Sequence, residues 1–171
     1  MYSFARNRNV ACRFFGSLCL FISPAAVDAY EIVSIEEHWE LHVGGPDVDS
    51  NSPQISMVMS PTGGLEGDYF VFTLNHGNVP GFTAGGMQVQ HWYDEEAVDT
   101  SNGPQLETLS HNDETISWTQ KLSVNNGTIT FEILDGSSQT WNVLGGQGYL
   151  KASVSTAMET LNSYRPAVSI T

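Results

Sequence analysis

The sequence predicts an all-β protein, an antiparallel β-sandwich with little or no helix. Three observations carry that expectation. Residues 30–171 fall into short β-branched and aromatic runs, separated by clusters of Gly, Pro, Asn and Asp. Several of those runs alternate apolar with polar side chains, the period-2 signature of a strand with one dry face. Apolar repeats at helical spacing are almost missing, and only Ser155–Asn162 reads as a short helical candidate.

The first element precedes the fold. Arg6, Arg8 and Arg13 form a basic start, Phe14–Ile22 an apolar run, and a small-residue stretch ends at Ala29. That order predicts a secretory signal peptide over residues 1–29, cut after Ala29. The apolar run has nine residues, too few for a hydrocarbon core that needs about 20 in a helix. An exported product is therefore expected, periplasmic, cell-surface or extracellular, with no transmembrane segment after cleavage. Cys12 and Cys19 would leave with the signal, so the mature domain must fold without disulfides. Its 142 residues suffice for one domain with its own core.

The candidate strands follow in order: Ile32–Val43, Gln54–Ser60, Asp68–His76, Gly86–Tyr93, Leu106–Ser110, Thr115–Val124, Gly127–Leu134, Thr140–Leu144 and Tyr149–Ser155. Pro166–Thr171 starts another, which predicts either an edge strand or a domain continuing past the final residue. Asn125-Asn126-Gly127 is the strongest hairpin signal, because Asn-Gly suits the two positive-φ positions of a type I′ turn. Parity puts Ile116, Trp118, Gln120, Leu122 and Val124 inside, with Ile129, Phe131, Ile133, Phe70, Phe72 and Leu74. Strands with one wet face make a two-layer sandwich.

Charge narrows the partners. Residues 30–171 hold Lys121, Lys151 and Arg165 against 18 carboxylates, a net charge of −15 with neutral histidines. Such a field repels nucleic acid and anionic membrane surfaces. It suits a solvated surface or divalent cations.

Three clusters are candidates for chemistry. In Glu36–Val43, one face carries Ile35, Trp39, Leu41 and Val43, with Glu37 as the odd member. The other carries Glu36, His38, Glu40 and His42, but residues four apart on a strand lie about 13 Å apart, too far to share one ion. That row is expected to be a polar outer face. In Gly86–Tyr93, His91 falls with Met87 and Val89 as a core or boundary histidine, while Trp92 lines up with Gln88 and Gln90. An indole flanked by amides suits a sugar, whose C–H face stacks on the ring while its hydroxyls meet the amides. Trp92, Gln88 and Gln90 are the candidate ligand-binding residues. Asp47, Asp49 and Asn51 alternate like the opening of a calcium loop, although Ser52 and Val58 break the EF-hand pattern. Calcium is the ion those three could hold, and Asp94-Glu95-Glu96 with Asp99 is a second oxygen cluster.

Catalytic patterns are wanting. There is no Gly-x-Ser-x-Gly elbow, no cysteine in the mature chain and no glycine loop opening a helix to cradle phosphate. The Glu-x-Asp-x-x-Glu strand of sandwich-fold glucanases is also absent.

Two resemblances add to this. Asn126 through Gly136, followed by Thr140-Trp141-Asn142, is similar to the strand–turn–strand rhythm of concanavalin A-like and laminin G-like domains, which implies a jelly-roll sandwich. Met57-Val58-Met59-Ser60-Pro61-Thr62-Gly63 and Gly86-Met87-Gln88-Val89-Gln90-His91-Trp92 resemble an uncharacterised family of secreted bacterial proteins, a resemblance that covers most of the mature chain and implies no activity. The expectation is an exported, non-catalytic sandwich that binds a glycan or a surface component. The alternative is a structural or interaction domain of an envelope or extracellular matrix, and a glycan-active enzyme is the most distant reading.

Overall fold

The computed structural model describes residues 30–44, 54–75, 86–103, 109, 111–146 and 148–170. The expected signal segment, most of Leu106–Ser110, and Asp47, Asp49 and Asn51 lie outside the described residues.

Nine strands form two antiparallel sheets: β1 (Ser34–Val43), β2 (Gln54–Ser60), β3 (Asp68–Asn75), β4 (Met87–Tyr93), β5 (Glu96–Asn102), β6 (Glu114–Asn125), β7 (Thr128–Ser137), β8 (Lys151–Ser155) and β9 (Arg165–Ile170). The first sheet runs β1-β6-β7-β8, the second β5-β4-β3-β2-β9. There is no helix among the described residues. The protein is the all-β sandwich that period-2 alternation predicts.

Alternation sets what fills the space between the sheets. Ile55, Met57, Met59, Phe70, Phe72, Leu74, Met87 and Val89 point in from the five-stranded sheet. Leu41, Ile116, Trp118, Leu122, Ile129, Phe131 and Ile133 meet them from the four-stranded sheet. Two aromatic contacts bridge the layers: Phe70 stacks on Phe131 with centroids 5.8 Å apart, and Phe72 meets Trp118 edge-on at 5.7 Å. Each such buried side chain contributes about 1.5–3 kcal/mol relative to exposure.

The Asn-Gly turn forms as the sequence predicts. Asn126 and Gly127 take φ of 47° and 73°, and Asn125 pairs with Thr128 to start the β6–β7 hairpin. A second hairpin was not legible. Asp94 and Glu95 take φ of 47° and 69°, with Tyr93 opposite Glu96, so the same turn geometry joins β4 to β5 without any glycine. Asp94 is fastened to Gly67: its carboxylate Oδ1 accepts from the Gly67 N–H at 2.8 Å, and its own N–H donates to the Gly67 carbonyl at 3.3 Å.

Two segments differ from expectation. Thr140–Leu144 is a series of turns instead of a strand. Buried Glu114 explains it: the Thr140 N–H donates to Oε1 at 2.6 Å and the Thr140 hydroxyl to Oε2 at 2.7 Å, which holds the chain off the ladder. Ser155–Asn162 is not helical: Ser155 closes β8, and the residues after it are irregular. It carries the chain from β8, at an edge of one sheet, to β9, at an edge of the other, and buries Leu161 across the end of the sandwich. Two of its backbone hydrogen bonds go to other segments, the Thr156 N–H to the Gly127 carbonyl and the Leu161 N–H to the Ile32 carbonyl, while the Met158 N–H donates locally to Thr156 Oγ1.

Candidate functional site

On the outer face of the five-stranded sheet, the register places Trp92 between Tyr69 and Ala97. Gln90 sits in the next row between Val71 and Thr100, and Gln88 in the row after, between Thr73 and Asn102. The three residues that sequence parity aligns therefore do share one face. They are not equally accessible. Trp92 and Gln90 are half-buried, whereas Gln88 is 2% exposed and donates from Nε2 to Asn102 Oδ1 at 2.9 Å. Gln88 braces the face from within, and Trp92, Gln90 and exposed Thr100 are what a ligand would meet.

Tyr69 is the residue sequence reasoning passed over. Its ring lies parallel to the Trp92 indole, centroids 6.0 Å apart and planes 16° off parallel, so two aromatic rings form one offset pair. The signal was available, since Phe70 and Phe72 pointing inward send Tyr69 outward. The register that sets it beside Trp92 was not. The Trp92 Nε1–H donates to Gln90 Oε1 at 3.3 Å, which ties the indole to the amide of the next row. Burial, then the Glu95 charge, push the Tyr69 phenol above its usual range.

β5 explains the acidic cluster near Trp92. Glu96 and Asp99 belong to an edge strand that pairs with β4, and the register shifts so that Val98 bulges between Ala97 and Asp99. Carboxylates and a bulge on an edge discourage pairing with further strands. Asp99 Oδ1 also accepts from the Thr100 N–H at 2.8 Å. Among the described residues, no group of three or more His, Cys, Asp or Glu side chains is placed to hold a metal ion.

The outer face of the four-stranded sheet is a different surface. In one row Glu36, Lys121, Glu132 and Lys151 alternate in charge across four strands, with Lys121 on Glu36 at 2.9 Å and Lys151 on Glu132 at 3.8 Å. In the neighbouring row Ser34, Ser123, Thr130 and Ser153 present four hydroxyls. His38 and His42 face outward, as the strand geometry requires. Each bonds across to β6, to Thr119 Oγ1 at 3.0 Å and Thr115 Oγ1 at 2.8 Å.

The interior holds two polar arrangements. Glu37 points inward and gathers three donors: Trp39 Nε1 and Gln120 Nε2 on Oε2, at 2.9 and 3.1 Å, and the Tyr164 hydroxyl on Oε1 at 2.7 Å. Gln120 in turn accepts from Trp118 Nε1 at 3.1 Å, and the Trp39 and Trp118 rings stack at 6.0 Å. Glu37 is the odd member of its face because it accepts from the Trp39 indole, the Gln120 amide and the Tyr164 hydroxyl, a structural duty. His91 is the boundary histidine that parity suggests: its Nε2 lies 2.7 Å from Asp68 Oδ1 and its ring stacks on Phe70.

Comparison with protein-family models, curated proteins and solved structures finds no match to this chain. No helix among the described residues is long and apolar enough to cross a membrane.

Proposed function

We propose that this is an exported, non-catalytic sandwich that binds a glycan or surface component on the outer face of its five-stranded sheet. One observation carries the reading: half-buried Trp92, parallel to Tyr69, with Gln90 and Thr100 in the adjoining row. The accessible part of the Trp92 ring, with buried Tyr69 packed against it, offers a C–H-stacking surface, and the amide and hydroxyl beside it offer bonds to sugar hydroxyls. Export rests on the basic, apolar and small-residue order of residues 1–29. The second reading, a structural or interaction domain of an envelope or matrix, draws on the same half-buried ring, which a protein partner could cover.

Glycan-array binding of residues 30–171, with and without calcium, decides between them. The proposal expects binding to at least one glycan class and a loss of tenfold or more in Trp92→Ala, roughly one ring contact of about 1.4 kcal/mol or above. Binding that the substitution leaves unchanged removes Trp92 from the site. Absence of glycan binding altogether favours the interaction domain. A loss of binding on calcium removal would point to an ion held outside the described residues, with Asp47, Asp49 and Asn51 as its first candidates.

A further inference from the structure

We infer that Asn126-Gly127 is a site of spontaneous covalent modification, where the asparagine amide is lost and the backbone isomerises. The fold spares the chain's other Asn-Gly pair, Asn102-Gly103. The chemistry belongs to the residue pair. Glycine has no side chain to shield its peptide nitrogen, so that nitrogen can attack the side-chain carbonyl carbon of the asparagine before it. The Gly127 nitrogen loses its proton and bonds to Asn126 Cγ. The Cγ–Nδ2 bond breaks, and ammonia leaves with that proton. Water then opens the cyclic imide at either carbonyl, giving aspartate or isoaspartate in place of the asparagine. The sequence of steps consumes one water and involves no oxidation or reduction.

The fold sets the two pairs apart. Asn126 and Gly127 are exposed, and they form the two-residue turn at the tip of the β6–β7 hairpin. Among the described residues, nothing accepts from the Gly127 N–H, and the Asn126 amide has no hydrogen-bond partner. The bond that Thr156 makes to Gly127 falls on its carbonyl, one peptide beyond the reacting nitrogen. Attack needs a local opening of the turn, at a margin where such openings cost least. Asn102-Gly103 is held on both sides of the bond that would form. Asn102 Oδ1 accepts from Gln88 Nε2 at 2.9 Å, the Gly103 N–H donates to the Met87 carbonyl at 3.0 Å, and Gly103 is buried. Breaking both bonds and exposing Gly103 slows the reaction there by roughly tenfold or more. The product matters to the hairpin. Isoaspartate carries the main chain through Cβ, which lengthens a turn whose φ values of 47° and 73° set the β6–β7 register.

The test ages the purified protein at neutral and mildly alkaline pH, folded and in denaturant, and follows amide loss at each asparagine by peptide mass spectrometry. In the folded protein Asn126 should convert roughly tenfold faster or more than Asn102. In denaturant the two should convert at comparable rates, because both are then followed by an unshielded glycine nitrogen. Asn126→Gly suits the same positive φ and lacks the amide, so it should abolish the early acidic product that ion exchange resolves from the folded protein. Conversion of Asn126 in denaturant without conversion in the folded protein overturns the site. Equal rates at Asn126 and Asn102 in the folded protein overturn the protection that the fold gives the second pair. An early acidic product that persists in Asn126→Gly places the reaction elsewhere and overturns the assignment.

Discussion

The two outer faces of the sandwich are both antiparallel and share little else. On the four-stranded sheet, Glu36 pairs with Lys121, Lys151 with Glu132, His38 with Thr119 and Thr130 with Ser153, so the polar groups satisfy one another across the strands. On the five-stranded sheet, Tyr69, Val71 and Thr73 are nearly sealed from solvent, Trp92 is half-covered, and the carboxylates of the edge have no cationic partner among the described residues. Their hairpins differ in the same direction. The four-stranded sheet turns at Asn126-Gly127, which accommodates positive φ with little cost, while the five-stranded sheet turns at Asp94-Glu95. A glutamate in the left-handed region costs about 1–2 kcal/mol. A self-paired face with an unstrained turn is built to stay solvated. A face that keeps a partly covered aromatic pair beside a strained, acidic turn is where a binding function is worth seeking.

Truncation on each face should separate them most sharply. Tyr69→Ala removes a side chain that is 6% exposed and leaves Trp92 without its stacking partner, so it should cost about 3 kcal/mol in denaturant unfolding. Lys121→Ala on the opposite face should cost no more than about 0.5 kcal/mol, because its ion pair is largely solvated. Similar losses for the two would mean that the charge row, too, is structural. The turns supply a smaller contrast of opposite sign. Gly127→Ala should destabilise by about 1 kcal/mol, since its φ of 73° disfavours a Cβ. Glu95→Gly should stabilise by about 1 kcal/mol by relieving the strain. Shifts in the same direction would show that the second turn is unstrained.

The four-stranded sheet was the more legible of the two. Parity placed Trp118, Gln120 and Leu122 inside, and Asn126-Gly127 announced its hairpin, because local periodicity and turn chemistry point the same way there. The bounds of β2, Gln54–Ser60, were readable, and in the structure Ile55, Met57 and Met59 alternate toward the core. β5 was not. From Glu96 to Thr100 every residue is exposed, so no apolar alternation marks a strand that exists only through pairing with β4. Trp92 and Gln90 were found by parity, but Tyr69 needed the β3–β4 register, which is a non-local property. The burial of Gln88 likewise depends on tertiary packing, and sequence parity carries no information on it.

Ligand binding is proposed to belong to the five-stranded face. Chemical-shift mapping of the backbone amides and indole N–H groups, while titrating residues 30–171 with a glycan selected on the array, tests it most directly. The largest changes should fall on the Trp92 indole, Gln90 and Thr100, with Tyr69 and Ala97 next. Changes concentrated on Lys121, Ser123, Thr130 and Ser153 would contradict it and move the site to the opposite face.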